Sequence, residues 1–404
     1  MPARESALDF DSLAAAVAGS SAIRVRTRLQ PAGGPGDKVF PPTYDGAIYA
    51  TERRRTAEGA VVDCVLLDSV QSQANRLEAA LLAAYDRGEV RFPLMAVDFS
   101  SRVDGIGRIT ALDAPHRIAD AIFRDSLLGG VAFRQSDAGR AFEKSSVADA
   151  TALLMLCPTA LVFGTWDSTG AAGGLGNKFA RALTSEIVGY GVELGVRTSS
   201  RIDPLRIEKL VDIFRASAGG WTLDPALAAR DKKGEPVKLK PSDVNHGNVT
   251  PDIVRDGHKE PIAGGITMLH AQQTVVLSLA GLRKLRFPSA GASVEARVSR
   301  ARAAWTALGA LALAAVVHQH SDGFDLRSRC ALVPEAAPVF EEVLPDGAVR
   351  GFTLTPDEAN SLLARAAEVL GRVGLPWRGE EIVLEPNPDL VTLLQRGRAL
   401  AGAE

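Results

Sequence analysis

The sequence predicts a mixed fold of the α+β class, and three observations carry that prediction. Ile23, Val25, Thr27 and Leu29 alternate with Arg24, Arg26, Arg28 and Gln30, a period of two that makes a strand with one apolar and one cationic face. Val61, Val62, Cys64, Val65, Leu66 and Leu67 form a nearly continuous apolar run. That run reads as a buried strand, and Asp68 and Ser69 follow it where a helix N-cap belongs. The third observation repeats this arrangement: an apolar run over Ala160–Phe163 leads into a glycine-rich stretch, and a helix is expected from Lys178 to about Ile187. Separate elements of both kinds, instead of a strict alternation, define the class.

The remaining elements follow in chain order. Leu8, Phe10, Leu13 and Val17 recur at helical spacing among acids, so residues 1–21 read as an N-terminal helix and not as a signal peptide, which needs a basic start and an apolar run. The first strand runs into Pro31–Pro42, a Gly/Pro loop. The helix after Ser69 has a core face of Val70, Leu77, Leu81 and Leu82, with Gln71, Asn75 and Glu78 together on another face. Residues 228–265 turn polar and rich in Lys, Pro, Gly, Asn and His, which predicts a long projecting loop or hairpin. It returns through an alternating strand, Ile266–Leu279. A helix is expected near 292–317, another begins at Thr355-Pro-Asp-Glu358, and a last one spans about 389–401. The most apolar stretch, Trp305–Val317, falls short of the roughly 20 residues that cross a bilayer as a helix, so no membrane span is expected.

A chain of 404 residues holds one large or two ordinary domains. A charged fraction of 23% and a net charge of −2 confine any nucleic-acid surface to a local patch. Cys64, Cys157 and Cys330 sit among apolar neighbours with no CxxC pair, which fits buried thiols in a reducing cytoplasm.

Several chemistries are disfavoured by spacing. Lys178 lies behind Gly170, Gly173, Gly174 and Gly176, residues suited to a close phosphate approach. It is nevertheless preceded by Asn177 and followed by Phe179, so it is not a Walker lysine, and Phe179 occupies the third glycine position of a dinucleotide fingerprint. His318-Gln-His320-Ser-Asp322 resembles the start of a metallohydrolase motif. On a helix its two histidines point about 200° apart, and Gly323 stands where a closing histidine belongs. Trp166-Asp167-Ser168 lacks the glycines of a nucleophile elbow. Glu341-Glu342 and Glu380-Glu381 are adjacent pairs whose side chains face apart. No metal or cofactor is expected from these motifs.

Cations recur instead: Arg24, Arg26 and Arg28; Arg53, Arg54 and Arg55; Lys178 and Arg181; Arg197 and Arg201; Arg283, Lys284 and Arg286. Together they supply charges for phosphates, with hydroxyls at Ser199 and Ser200 for backbone and sugar oxygens. Aromatic residues are only 5% of the chain, so binding would rest on backbone and shape more than on a stacking platform.

Five strings carry a family resemblance: VLLDSVQSQANRLEAAL at 65–81, CPTALVFGTWDSTGAAGGLGNKFARALTSEIVG at 157–189, RTSSRIDP at 197–204, LSLAGLRKLRFP at 277–288 and DLRSRCALVP at 325–334. With their connections they cover most of residues 22–334, and the chain there resembles the backbone RAMP (Cas-seven-type) subunit of type I-U, or I-G, CRISPR Cascade effectors. The fold this implies is a modified RRM-like, ferredoxin-like palm over 22–334 with large insertions, one of them a thumb at 231–265, followed by a C-terminal helical extension over 335–404. The implied partners are CRISPR guide RNA (crRNA), further copies of the chain, a large subunit, a guide-processing and capping subunit and, through the guide, target DNA. Base pairing then reads sequence while the protein holds geometry.

Carried onto matching positions, the resemblance implies guide-phosphate contacts at Arg26, Arg28, Lys178, Arg181, Arg197 and Arg201. Ser199 and Ser200 would act as hydroxyl donors, and Gln71, Asn75 and Arg76 as polar contacts from the first palm helix. Arg197 and Arg201 could instead brace the palm through carboxylates such as Asp203. Asn245, His246 and Asn248 mark the thumb candidate, with the Gly-rich loop after the first strand as its competitor. Related type III backbones cut target RNA with an aspartate near the first strand. Asp37 sits in a comparable place, but a lone Asp in a Gly/Pro loop is more often a turn residue. Type I backbones are not nucleases as a class, so the resemblance implies no catalysis, with a metal-dependent ribonuclease of the same superfamily using Asp37 as the alternative.

Overall fold

The computed structural model describes residues 7–169, 178–255 and 262–401. Its centre is a nine-stranded sheet. The path runs Phe324–Asp325, Ala331–Pro334, Ala22–Pro31, His270–Ser278, Leu183–Tyr190, Val61–Asp68 and Thr51–Arg55, each strand antiparallel to its neighbour. Phe340–Val343 also pairs with the start of the first strand and carries Val349–Phe352 outside it.

The first strand is buried on Ile23, Val25, Thr27 and Leu29, as its period of two predicts. It lies between His270–Ser278 and Ala331–Pro334, two strands connected through the helix Val294–Asp322. This is the split β-α-β arrangement of a ferredoxin-like fold, so the α+β, RRM-like expectation holds.

Helices cover one face of the sheet. Val294–Asp322 is the central one: residues from Ala303 to Gln319 are almost all buried, and their alanines let neighbouring helices close in on every side. By length and composition this helix could cross a membrane, but it packs against the helices Phe10–Gly19, Val70–Asp86 and Pro356–Arg372. Ser69 caps Val70–Asp86 by accepting a bond from the Ser72 N–H. Thr355 and Glu358 form a reciprocal capping box on Pro356–Arg372. The C-terminal region supplies the expected helices, the last being Pro388–Ala401, and strands as well. Ile382–Pro386 pairs in parallel with Met95–Asp98 in a second, five-stranded sheet.

Two local expectations are corrected. Residues expected as a strand at 160–163 form the short helix Thr159–Phe163, all buried and ended by Gly164 in a left-handed conformation. The expected helix over 178–187 is two strands, Lys178–Phe179 and Leu183–Tyr190. Leu183, Ser185 and Ile187 are buried between the more exposed Thr184 and Glu186, a strand alternation reinforced by β-branched Thr184, Ile187 and Val188.

The projecting segment also differs from expectation. Between Tyr190 and His270 the chain forms an arm in which Glu193–Val196 pairs with Ala263–Thr267 and Thr198–Arg201 pairs with Val249–Ile253. Beyond them lies a small sheet of Ile213–Arg215, Trp221–Thr222 and Lys238–Leu239. The 231–265 segment is therefore only the returning half of the arm. The outgoing half contains Arg197 to Arg201, and its strand Thr198–Arg201 pairs with the returning Val249–Ile253.

Beneath the sheet, Asp68 is buried and accepts bonds from Ser72 Oγ at 2.7 Å, Gln73 Nε2 at 2.6 Å and Arg76 Nε at 2.9 Å. Arg327 Nη2 approaches it at 3.3 Å. Gln73 continues the network to Ser185 and Gln273, and Gln273 reaches Gln319 and His320. Removing one member of a buried ion pair strands its partners. Asp68→Ala is expected to lower stability by about 2–3 kcal/mol, discounted because the guanidiniums are partly exposed. Urea unfolding measures this, and an unchanged midpoint would refute the assignment.

Candidate nucleic-acid interface

The candidate interface is assembled around the turn that follows Thr159–Phe163. Gly164 has φ 81°, and a Cβ there would come within about 3.0 Å of the Arg181 backbone N and the Phe179 carbonyl, so the chain passes only with glycine. Thr165–Trp166 then pairs with Lys178–Phe179, which places Trp166 directly opposite Lys178. The Lys178 ammonium lies 5.7 Å from the indole centroid, a cation–π contact on a side chain that is half exposed.

Arg117 forms the floor. It has a left-handed backbone (φ 54°), and its guanidinium binds Glu78 through Nε at 2.6 Å and Nη2 at 2.7 Å, with Nη1 donating to the Gly164 carbonyl at 2.9 Å. Both side chains are buried. Burial pushes the Glu78 carboxyl above the ordinary carboxylate range, and the Arg117 charge opposes that push. Arg181 stands beside this pair, with its Nε donating to the Phe163 carbonyl at 3.2 Å. Burial, and next the neighbouring Arg117 charge, lower its pKa. Neither Lys178 nor Arg181 has an ion pair among the described residues.

From the opposite wall the helix Val70–Asp86 presents Gln71 and Asn75, one turn apart and exposed. The result is an open pocket of ≈ 470 Å³ lined by Gln71, Asn75, Pro115, His116, Arg117, Phe163, Gly164, Thr165, Trp166, Lys178, Phe179 and Arg181. None of these is an acid. The structure thus brings together four residues expected at the site, Gln71, Asn75, Lys178 and Arg181, and adds Arg117 and Trp166.

The other expected residues lie elsewhere. Arg76 is held by Asp68 and by the carbonyls of Asp325 and Leu326, so these bonds tie it to the core. Arg26 and Arg28 project from the sheet's other face, half exposed, and face Glu341 at 3.6 Å and Glu335 at 3.1 Å. Arg24 pairs with Glu341 as well. Ser199 and Ser200 are exposed on the outgoing arm strand Thr198–Arg201, and Arg197 is exposed at the break just before it. Arg201 donates through Nη2 to the Gly247 carbonyl at 2.7 Å, bracing the arm.

Asp203 braces the same place, although without an ion pair to Arg201. Its carboxylate accepts the Gly247 N–H at 2.6 Å, the Ile207 N–H at 3.1 Å and the Leu205 N–H at 3.2 Å. Burial raises its pKa, but these three donors outweigh it and hold the group below the usual range. Asn248 Oδ1 accepts the Asp203 N–H at 2.7 Å, His246 sits edge-on to Trp221, and Asn245 occupies a left-handed turn. Asn248 thus secures the arm backbone.

The glycines at 170–176 fall within residues 170–177, outside the described residues. Asp37 is an exposed turn residue whose carboxylate accepts the Lys38 N–H at 2.8 Å. His318 and His320 lie on one helix and bond to different partners, Asn360 at 2.8 Å and Gln273 at 2.7 Å, and burial pulls His320 down to about 4. Asp167 is buried against Arg134, at 2.7 and 2.8 Å.

Trp166 carried a signal that sequence reasoning used differently, as part of a possible nucleophile turn. Its exposure was invisible because it depends on the two-residue strand pair with Lys178. Arg117 carried no signal, since its partner Glu78 lies 39 residues away.

Residues 23–194 are similar to a family model described as CRISPR-associated protein GSU0053 (Cas_GSU0053), which indicates a CRISPR-associated protein family for that span. No curated protein matches the chain. The matched span contains every residue that lines the pocket and ends at the base of the arm.

The Arg117–Glu78 pair shapes the pocket floor, so its loss has a defined outcome. Arg117→Ala leaves a carboxylate buried without a partner and is expected to cost about 3–5 kcal/mol, whereas Arg117→Met combined with Glu78→Leu recovers most of that loss. Denaturant unfolding of the three proteins checks the difference, and equal stability of the single and double variants would contradict it.

Proposed function

We propose that the chain is a non-catalytic backbone subunit of a type I-U/I-G CRISPR effector, copies of which line up along one guide RNA. The observation that carries this reading is the convergence of Gln71, Asn75, Lys178 and Arg181 on one acid-free pocket within the span similar to a CRISPR-associated family. Cations without carboxylate partners are suited to phosphates, and the amides of Gln71 and Asn75 donate and accept hydrogen bonds. The RRM-like sheet and its arm are in keeping with the reading, since the arm gives a compact palm reach along a strand.

In this role the protein grips backbone and imposes geometry, and base pairing by the guide selects the target. A large subunit and a guide-processing subunit would complete the complex, with double-stranded DNA as its target and the cytoplasm as its place of work. Arg197, Ser199 and Ser200 extend the grip along the arm.

Expression with a CRISPR array and its neighbouring genes is expected to yield protein carrying RNA of guide length, and RNA-free monomer would overturn the proposal. For single strands, log K falls with log salt by about 0.7 per phosphate contact. Lys178→Ala and Arg181→Ala are each expected to flatten that slope by about this amount. Incubation with magnesium and complementary RNA is expected to leave the RNA intact. Cleavage at regular spacing that disappears in Asp37→Ala would replace this reading with a ribonuclease.

A further inference from the structure

Trp166 is out of keeping with a site that only holds phosphates. Its side chain is half exposed at the rim of an acid-free cationic pocket, although the chain buries most of its large aromatic residues. Its placement is determined: it is the cross-strand partner of Lys178, whose ammonium covers one face of the indole, and the exposed remainder of the ring is free to meet a ligand. Behind it, Arg181 is tethered to the Phe163 carbonyl through Nε alone, leaving its terminal nitrogens without an ion pair among the described residues. The amides of Gln71 and Asn75 stand across the pocket.

A ligand that satisfies these groups has a flat π surface, a negative charge next to it and hydrogen-bonding edges. A nucleotide has all three. The volume of ≈ 470 Å³ lies within the roughly 300–1,000 Å³ of small-ligand sites, enough for one nucleotide and not for a duplex.

We infer that the pocket is a single-nucleotide subsite for RNA: one base stacks on the Trp166 face not covered by Lys178, its phosphate meets Arg181, and Gln71 and Asn75 face the base edge. The inference rests on the RNA-binding reading above and adds a stacking contact that the low aromatic content of the chain did not suggest. Stacking is tolerant of base identity, because every base has a π face. The subsite therefore suits a protein that binds guides of any sequence.

The test uses the full chain and single-stranded RNA of guide length, with affinity measured across a salt series. Trp166→Ala is expected to weaken binding roughly 10- to 100-fold with the salt slope unchanged, while Trp166→Phe keeps most of the affinity. Arg181→Gln is expected to flatten the slope by about 0.7. RNA binding should quench tryptophan fluorescence, and Trp166→Phe should remove most of that quench.

If Trp166→Ala binds as tightly as the wild type, the subsite is refuted and the RNA-binding reading stands. If the wild type binds no RNA, both fail. Free uridine monophosphate is expected to compete only weakly. Efficient competition by the free mononucleotide would identify a free-nucleotide site instead and overturn the inference.

Discussion

One buried carboxylate sets the register on which the candidate interface depends. Asp68 ends the strand Val61–Asp68, next to the sheet's edge, and within a few residues binds Ser72, Gln73 and Arg76 on the first turns of the following helix. Arg327, from beyond the central helix, closes on it from the other side. A low-dielectric site makes such bonds strong when complete and costly when broken. With Gln73 and Arg76 turned inward, Gln71 and Asn75 are turned outward, and Glu78 falls where Arg117 can reach it. The polar wall and floor of the pocket are thus fixed by the helix that Asp68 anchors.

The electrostatics of the pocket follow from an imbalance. Glu78 lies close to the guanidiniums of both Arg117 and Arg181, and Arg117 takes both of its oxygens. Arg181 is left to a backbone carbonyl, and Lys178 to the face of an indole. An anion entering the pocket meets charge that is already positioned and unopposed. The arginines of the first strand contrast with this, because Glu341 and Glu335 already face them. A cationic strand in the sequence is therefore a weaker sign of an anion site than a cation whose neighbours include no acid.

Legibility in the sequence tracked the range of the interactions. The first strand, the Ser69 cap and the helix start at Thr355 were readable because each is decided within a few residues. The helix expected over 178–187 failed because the pairing of Leu183–Tyr190 with strands at 61–68 and 270–278 outweighed local pattern. The arm was half seen: its polar return stood out by composition, while Arg197–Arg201 looked like part of the palm. The partners of Arg76 at Asp325 and Leu326 could not be read from local pattern either, since they lie about 250 residues away. Lys178, Arg181, Gln71 and Asn75, expected from the sequence, line one pocket, and Trp166 and Arg117 join them only once the sheet and helix are together.

The central claim, that RNA lies in the pocket between the first palm helix and the Trp166–Lys178 strand pair, is most directly tested by photocrosslinking. Guide-length RNA carrying photoactivatable uridines would be bound to the full chain, irradiated, and the crosslinked peptides sequenced by mass spectrometry. The account predicts crosslinks at Gln71 or Asn75, at Trp166, and around Lys178 and Arg181, with further ones along the outgoing arm strand. Crosslinks confined to surfaces away from these residues would contradict it.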